Sequence, residues 1–213
     1  MLFSSITFLF IFLPLTLLLY YLVPFRMKNY VMLAASLIFY AWGEPVYIIL
    51  MILSIILNYF CGQDIYEKRD NARAMKMSLM FGVVMNLLIL GFFKYYGLLM
   101  DTINAILPID IPYRVLALPI GISFYTFQAM SYLIDVYRKE VKPQENILYF
   151  ALYISMFPQL IAGPIVRYID IEEQLKERSI NSTKFGEGAM YFIRGLAKKV
   201  VLANTFGSVY EQV

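Results

Sequence analysis

A group of hydrogen-bonding side chains is spaced along the apolar stretch 118–138, LPIGISFYTFQAMSYLIDVYR. At about 100° per residue, a helix here gathers one set on a single face: Tyr125, Gln128, Ser131, Tyr132 and Asp135, with Gly121 and Phe124. The opposite face is apolar. Hydroxyl, amide and carboxylate groups that share a face can line a channel for substrate or hold a catalytic partner. Among segments built for lipid, we expect that face to border a cavity lined by protein or water.

A plainer interpretation of the same face stays open from the sequence. Asp135 could pair with Arg138, three residues on at the end of the helix, while Gln128 and Ser131 bond to a neighbouring helix. An acidic residue within a membrane segment is by default a candidate functional residue, but Asp135 lies near a helix end. Both interpretations of Asp135 therefore stand, and Gln128 is the better candidate for a buried polar contact.

A second group surrounds an expected break in the apolar segment 147–166, at Pro158 and at the pair Gly163-Pro164. Gln159, Gly163 and Arg167 lie there. Backbone N–H groups freed by the break, together with the Arg167 guanidinium, could bind a thioester carbonyl or a phosphate. The alternative, which we favour, is that glycine and proline only shape the turn and that Arg167 meets lipid headgroups.

A third group forms a stripe on the last predicted helix, 187–209. Its members follow the spacing i, i+4, i+7, i+11: Glu187, Tyr191, Arg194 and Lys198. Arg194 and Lys198 could face the phosphates of a coenzyme A donor or an acidic carrier protein. A helix lying on a membrane surface, with its cations at the headgroups, would have the same pattern.

Composition limits the classes of protein. The 213 residues are 61% apolar and 15% charged, which indicates a multi-pass membrane protein. The sequence has no histidine, which removes the commonest general base and metal ligand, and its single cysteine excludes an internal disulfide. We expect no metal site. The net charge of +3 comes from loop residues, so it reports membrane topology and gives no indication of nucleic-acid binding.

The apolar runs predict an all-α fold, a polytopic transmembrane bundle of one domain with short spans. Basic residues alternate as two, none, four, one and three through the successive loops, which favours an outside amino terminus. The next loop is basic again, so we expect 147–166 to be re-entrant, with both flanking loops cytoplasmic. The predicted spans are 2–23, 30–43, 46–61, 78–100 and 115–136, followed by the re-entrant segment 147–166, a surface helix 168–178 and a helix 187–209.

Several motifs carry a family resemblance. The stretch 118–138, FPQLIAGPIVRY at 157–168 and GLAKKVVLA at 195–203 closely resemble the alginate O-acetyltransferase type of membrane-bound O-acyltransferase (MBOAT). FSSITFLFIFLP at 3–14 and SLIFYAWGEP at 36–45 are similar to that family too. The resemblance covers the amino-terminal part of the family pattern. Two histidine-containing motifs of the family have no counterpart here, so we expect the catalytic histidine downstream and these residues alone to be inactive.

The resemblance implies a bacterial protein of the cytoplasmic membrane that transfers acetyl groups to hydroxyls of a cell-surface polysaccharide. It implies acetyl-CoA or another acyl thioester as donor, with no tightly bound cofactor, and an extracytoplasmic partner protein that takes part in acetyl transfer. Membrane lipid surrounds such a protein. Two alternatives remain open: transfer of D-alanine to teichoic acid within the same superfamily, and a non-enzymatic transporter or scaffold module.

Overall fold

The computed structural model describes residues 3–106, 111–114, 117–160, 165–179, 181–203 and 206–207. Within those ranges every regular element is helical, which confirms the all-α prediction. A π-helical turn, Phe8–Phe12, leads into α1, and a 3₁₀ turn, Phe25–Met27, leads into α2. The α-helices are α1 (Leu13–Leu22), α2 (Lys28–Gly43), α3 (Ile48–Glu67), α4 (Ala72–Ile106), α5 (Ile122–Tyr137), α6 (Ile147–Ser155), α7 (Phe157–Leu160), α8 (Tyr168–Lys176) and α9 (Ser182–Ala197), which continues as a π-helix over Lys198–Ala203.

Two helices are long and apolar enough to cross a membrane by length and composition, α3 and α4. A shorter apolar helical stretch covers Phe8–Leu22. With 35 residues, α4 is about 52 Å long, which exceeds a hydrocarbon core of about 30 Å. It extends six residues beyond each end of the predicted span 78–100, because no proline or glycine there stops the helix.

Helix α5 lies at the centre of the packing, against α3, α4, α6 and α8. Its polar face is buried at Tyr125, Gln128, Tyr132 and Asp135, and its apolar face is buried at Ile122, Ala129, Leu133 and Val136. The remaining side of the helix is exposed at Phe124 and Phe127. Periodicity therefore identified which residues share a face, but it did not separate the buried positions from this exposed strip.

Two glycines allow α3 and α4 to approach α5 closely. A Cβ atom added at Gly62 would lie 2.8 Å from the Tyr132 ring, and one at Gly82 would lie 2.6 Å from Leu133. Next to this contact, α3 and α4 are joined by a reciprocal amide pair. Asn58 Nδ2 donates to Asn86 Oδ1 at 3.1 Å, and Asn86 Nδ2 donates back at 2.7 Å. Small residues and interhelical hydrogen bonds are the means by which membrane helices associate.

The predicted helix 115–136 is wrong at its start. Helix α5 begins at Ile122, and described residues before it, 117–119, are not helical. Gly121 precedes the helix with φ +78°, a left-handed conformation that favours glycine, and a Cβ there would lie 3.1 Å from the Leu160 carbonyl oxygen. Gly121 therefore ends the incoming segment and is not part of the helix face.

Other boundaries also differ from the sequence prediction, and α3 ends at Glu67, six residues beyond the predicted span 46–61. Helix α9 begins at Ser182, five residues before the predicted start, because the Asn181 side chain accepts a hydrogen bond from Lys184 N at 2.7 Å and caps the helix. Helix α8 ends at Lys176, and Glu177 that follows is extended. The parts of the predicted helix at 204–205 and 208–209 lie outside the described residues.

The segment 147–166 does not form one helix. Helix α6 ends at Ser155, Met156 has ψ 112°, and the single turn α7 follows. A continuous helix would need an N–H donor at position 158 for the Ile154 carbonyl, and Pro158 has none. The second expected break, Gly163-Pro164, lies outside the described residues. Re-entry into a membrane stays a prediction for this segment.

Candidate functional site

The break between α6 and α7 releases a backbone carbonyl inside the protein. In a continuous helix, Phe157 N would donate to the Tyr153 carbonyl oxygen. Because the chain turns at Met156, Phe157 N instead donates to Ser36 Oγ on α2 at 3.2 Å. The Tyr153 carbonyl is thus free to accept hydrogen bonds from other groups, and Tyr153 itself is fully buried.

Two predicted site residues meet at that carbonyl. Gln128 Nε2 donates to the Tyr153 oxygen at 2.9 Å, and Gln159 Nε2 donates to the same oxygen at 2.6 Å. The Tyr153 hydroxyl donates in turn to the Val166 carbonyl at 3.1 Å. Together these bonds join α5, the break after α6 and the segment leading into α8. Gln128 is therefore a donor to a freed backbone group rather than a side chain facing an open cavity.

Asp135 pairs with Arg167 at the C-terminal end of α5. Arg167 Nη2 lies 2.5 Å from Asp135 Oδ1, and its Nε lies 3.3 Å from Oδ2. The same Nη2 lies 2.7 Å from Glu140 Oε2. The Asp135 side chain is 3% exposed, whereas that of Arg167 is 44% exposed. The hydrogen bonds to Asp135 and Glu140 raise the pKa of Arg167 above its ordinary value.

The interpretation that paired Asp135 with Arg138 is wrong. Arg138 is the cap residue of α5, its side chain is 62% exposed, and its nearest ion-pair partner is Glu140 at 3.9 Å. Asp135 instead pairs with Arg167, in the segment before α8. Arg167 is 32 residues away in the chain, so only the fold identifies it as the partner.

A cleft of about 480 Å³ lies beside this ion pair. It places three predicted residues together, Ser131, Asp135 and Arg167. The remaining lining is Phe127, Met130, Ile134, Arg138 and Ile165. The Ser131 hydroxyl, the ion pair and the Arg138 side chain, beside apolar residues, could orient a small polar group. Tyr125, Gln128 and Tyr132 do not line this cleft, so it borders only one end of the predicted polar face.

The tyrosines of α5 belong to the core. The Tyr132 hydroxyl accepts from Gln144 N at 3.1 Å, and Gln144 Nε2 donates to the Tyr168 hydroxyl at 2.9 Å. The Tyr132 ring lies 4.7 Å from that of Phe150, centroid to centroid. The Tyr125 hydroxyl is buried, and among the described residues it has no hydrogen-bond partner. The roles of Gln144 and Tyr153 were not predicted from the sequence. The available signal for Tyr153 was Pro158, which favours a helix end just before it.

The other predicted residues lie apart from this group. Arg194 and Lys198 are exposed on the last helix, far along the chain from the cleft that Asp135 lines. The apolar side of α9, with Phe185, Ala189 and Phe192, instead borders a groove against Leu13 and Leu17 of α1. Gly163 lies outside the described residues. Within the described ranges, no three His, Cys, Asp or Glu side chains are grouped as metal ligands.

Comparisons with known proteins give strong matches along the chain. It is 40% identical to "Probable alginate O-acetylase AlgI" of Pseudomonas aeruginosa, over 99% of this chain and 41% of that protein. The protein of the same name from Pseudomonas syringae pv. tomato is 41% identical, over 99% of this chain and 42% of its own length. A "Peptidoglycan O-acetyltransferase" of Helicobacter pylori is 33% identical, over 96% of this chain and 45% of that protein.

The chain thus spans about two fifths of the length of the curated relatives it matches. No family model matches it, and no solved structure is significantly similar. The motifs at 3–14, 36–45, 118–138, 157–168 and 195–203 are spread through the matched region. These relatives confirm the resemblance of the chain to the alginate O-acetyltransferase type of membrane-bound O-acyltransferase, over nearly all of its 213 residues.

Proposed function

We propose that the whole protein is a membrane-bound O-acetyltransferase that acts on a cell-surface polysaccharide. The observation that carries this proposal is the 40% identity, over 99% of the chain, to proteins named alginate O-acetylase. The H. pylori relative, named for peptidoglycan, makes a second polysaccharide acceptor a specific alternative. The two acceptors share the chemistry of a sugar hydroxyl.

The proposed reaction forms one ester bond and breaks one thioester bond. The hydroxyl oxygen attacks the acetyl carbonyl carbon, the carbon–sulfur bond breaks, and the proton of the hydroxyl passes through a base to the leaving sulfur. We propose acetyl-CoA or another acyl thioester as donor. The 213 residues contain no histidine, so we assign the base to a histidine elsewhere in the protein. An extracytoplasmic partner protein that takes part in acetyl transfer is also part of the proposal.

The role proposed for these residues is to build one wall of the reaction chamber. Arg167 Nε and Nη2 are engaged by Asp135 and Glu140, so we assign Arg167 a structural role rather than polarisation of a thioester. It is a positioning residue, because its ion pair holds the segment before α8 against α5. The cleft beside Ser131 then supplies the space for a substrate group.

The proposed setting is the bacterial cytoplasmic membrane, with several spans and with 147–166 re-entrant. Helices α3 and α4 meet the length and hydropathy requirements for spanning. The freed Tyr153 carbonyl receives two protein donors, which is the condition under which a broken helix is tolerated at membrane depth. In the proposed orientation, the loops after α3, α5 and α7 are cytoplasmic.

The activity is tested with the whole protein in sealed vesicles supplied with labelled acetyl-CoA on the cytoplasmic side. We expect labelled acetyl groups on alginate, in ester bonds that alkali cleaves. Labelled acetyl groups on peptidoglycan fragments instead would establish the alternative acceptor. Ser131→Phe should fill the cleft and lower transfer about tenfold or more, because misplacing a substrate by 1 Å has large effects. The control Ser131→Ala removes the hydroxyl without filling space and should stay near wild type. Absence of acetyl transfer to either acceptor would overturn the proposal.

The topology is tested separately by cysteine labelling. Cys61 is buried and is the only cysteine, so Cys61→Ser provides a background without thiols. Lys176→Cys in that background should react with a membrane-impermeant maleimide only from the cytoplasmic side. Labelling from the outside would contradict the re-entrant segment while leaving the acetyltransferase proposal intact.

A further inference from the structure

A second cleft, which the acetyl-transfer proposal does not use, lies between the α3–α4 turn and the loop after α5. Its volume is about 390 Å³. Three cationic side chains line it, Arg69, Lys139 and Lys142, and we call it the cationic cleft. Its floor is apolar and buried, formed by Ile65, Met75, Val136 and Val141. Three exposed cationic side chains therefore share one cleft over an apolar floor.

The cations of the cationic cleft are not neutralised by acidic side chains in the described part of the chain. None of the three makes an ion pair with an acidic side chain of the described residues. The one acid in the lining, Glu140, already receives Arg167 at 2.7 Å and lies 3.9 Å from Arg138. The Arg69 guanidinium lies over the Tyr66 ring, 4.4 Å from its centroid, which fixes its orientation. A concentration of unpaired positive charge favours an anionic ligand.

The backbone at Lys139 adds an independent observation. Helix α5 ends in a Schellman motif, in which Glu140 N donates to the Asp135 carbonyl and Lys139 N donates to the Val136 carbonyl, both at 3.0 Å. The residue at the C′ position of this motif is left-handed and is usually glycine. Here Lys139 occupies it with φ +63° and is the only described non-glycine residue with positive φ. Backbone strain of this kind is tolerated where a side chain has a use.

We propose that the cationic cleft binds a phosphate group. Arg69 offers a planar fork that suits two phosphate oxygens, and the two lysines offer ammonium donors for the remaining oxygen. The apolar floor suits the carbon chain to which a phosphate ester is attached. The phosphate can come from an anionic lipid headgroup or from a soluble phosphate ester. This proposal does not depend on acetyl transfer, since it concerns binding only.

The test measures binding to the purified whole protein in detergent, with two classes of probe. The lipid arm uses short-chain phosphatidic acid, with phosphatidylcholine as the uncharged comparison. The soluble arm uses coenzyme A and inorganic phosphate. We expect saturable binding in one arm, which identifies the source of the phosphate. Arg69→Gln, Lys139→Gln and Lys142→Gln should each weaken it about fivefold, the effect of removing one cation near an anionic headgroup.

Lys139→Gly is the most informative variant. Glycine relieves the left-handed strain while it removes the charge, so the thermal unfolding midpoint should stay the same or rise as phosphate binding weakens. Lys76→Gln is the matched control, because Lys76 is exposed in the neighbouring α4 and does not line the cleft. Wild-type binding in the Lys139→Gly, Arg69→Gln and Lys142→Gln variants, or no binding of any phosphate probe, would overturn the proposal.

Discussion

Helices α5 and α9 have similar sequence patterns and opposite surroundings. Each carries a stripe of polar side chains at helical spacing beside an apolar face. In α5 the stripe is buried at Gln128, Tyr132 and Asp135, and each of these meets a partner from another part of the chain. In α9, Arg194 and Lys198 are exposed. Periodicity therefore tells which residues share a face, whereas the neighbouring helices decide what that face does.

The difference has an energetic consequence. A buried polar group that loses its partner costs about 1–3 kcal/mol, because it no longer bonds to water or to protein. A substitution on an exposed face usually changes stability by less than about 0.5 kcal/mol. Paired substitutions in the two helices should therefore separate the buried stripe from the exposed one.

The largest effect is expected where α4 touches α5. Gly82→Val places side-chain atoms where a Cβ alone would already lie 2.6 Å from buried Leu133. We expect a loss of about 3 kcal/mol in the free energy of unfolding, because overpacking forces the two helices apart. Gly91→Val on the same helix is the control, since nothing lies within 4 Å of a Cβ there. Equal unfolding midpoints for the two variants in detergent would contradict the close α4–α5 contact.

A smaller effect is expected for the cation that pairs with Asp135. Arg167→Gln leaves a carboxylate that is 3% exposed without its counter-ion. We expect a clear loss of stability that is smaller than that of Gly82→Val, because the uncompensated carboxylate is buried whereas Arg167 itself is partly exposed. The same change in α9, Arg194→Gln, should cost less than about 0.5 kcal/mol. Similar losses of stability in both variants would mean that the two stripes do not differ in environment.

The shared Tyr153 carbonyl gives the third prediction. Gln128→Leu or Gln159→Leu should each cost about 1 kcal/mol, since the other glutamine still donates to the oxygen. The double variant should lose more than the sum, because the carbonyl is then buried without a donor. A double-mutant cycle of unfolding free energies measures this coupling. Strict additivity would show that the two amides act on separate groups.

The sequence predicted much of this arrangement and missed specific parts of it. The positions that share a face of α5 followed from a period of 3.6 residues, and the motifs carried the resemblance to alginate O-acetyltransferases that the relatives confirm. The start of α5 was missed, because a left-handed Gly121 interrupts a run that remains apolar throughout. The functional roles of the predicted site residues stay predictions, since geometry alone does not test them.

The missed contacts are those that join distant segments. Asp135 and Arg167 were each singled out, yet their pairing could not be predicted, because a spacing of three residues pointed to Arg138 instead. The bonds from Gln128 and Gln159 to one carbonyl depend on where α6 stops and on how α2 supplies Ser36. Such contacts require the positions of three elements at once. The local sequence pattern shows which polar groups a helix face carries, and tertiary packing determines their hydrogen-bond and ion-pair partners.

The smallest effect at neutral pH concerns a buried tyrosine of α8. Burial, together with the nearby charge of Glu172, raises the pKa of Tyr168 above its ordinary value of about 10. The folded state therefore holds the phenol proton more tightly than the unfolded state, so this stabilisation is complete below pH about 10 and is lost as pH rises above it. Tyr168→Phe should cost about 1 kcal/mol at neutral pH, because the phenol accepts from Gln144.

Above pH 10 the stability deficit of Tyr168→Phe relative to wild type should shrink and then reverse, because phenylalanine has no proton to lose. Unfolding midpoints of wild type and variant between neutral and strongly alkaline pH measure the crossing. Tyr191→Phe, at a position 74% exposed in α9, serves as the control and should follow the wild-type profile throughout. Parallel pH profiles for wild type and Tyr168→Phe would mean that the Tyr168 hydroxyl ionises equally readily in the folded and unfolded states. That result would contradict the difference in burial between the core around α5 and the surface of α9.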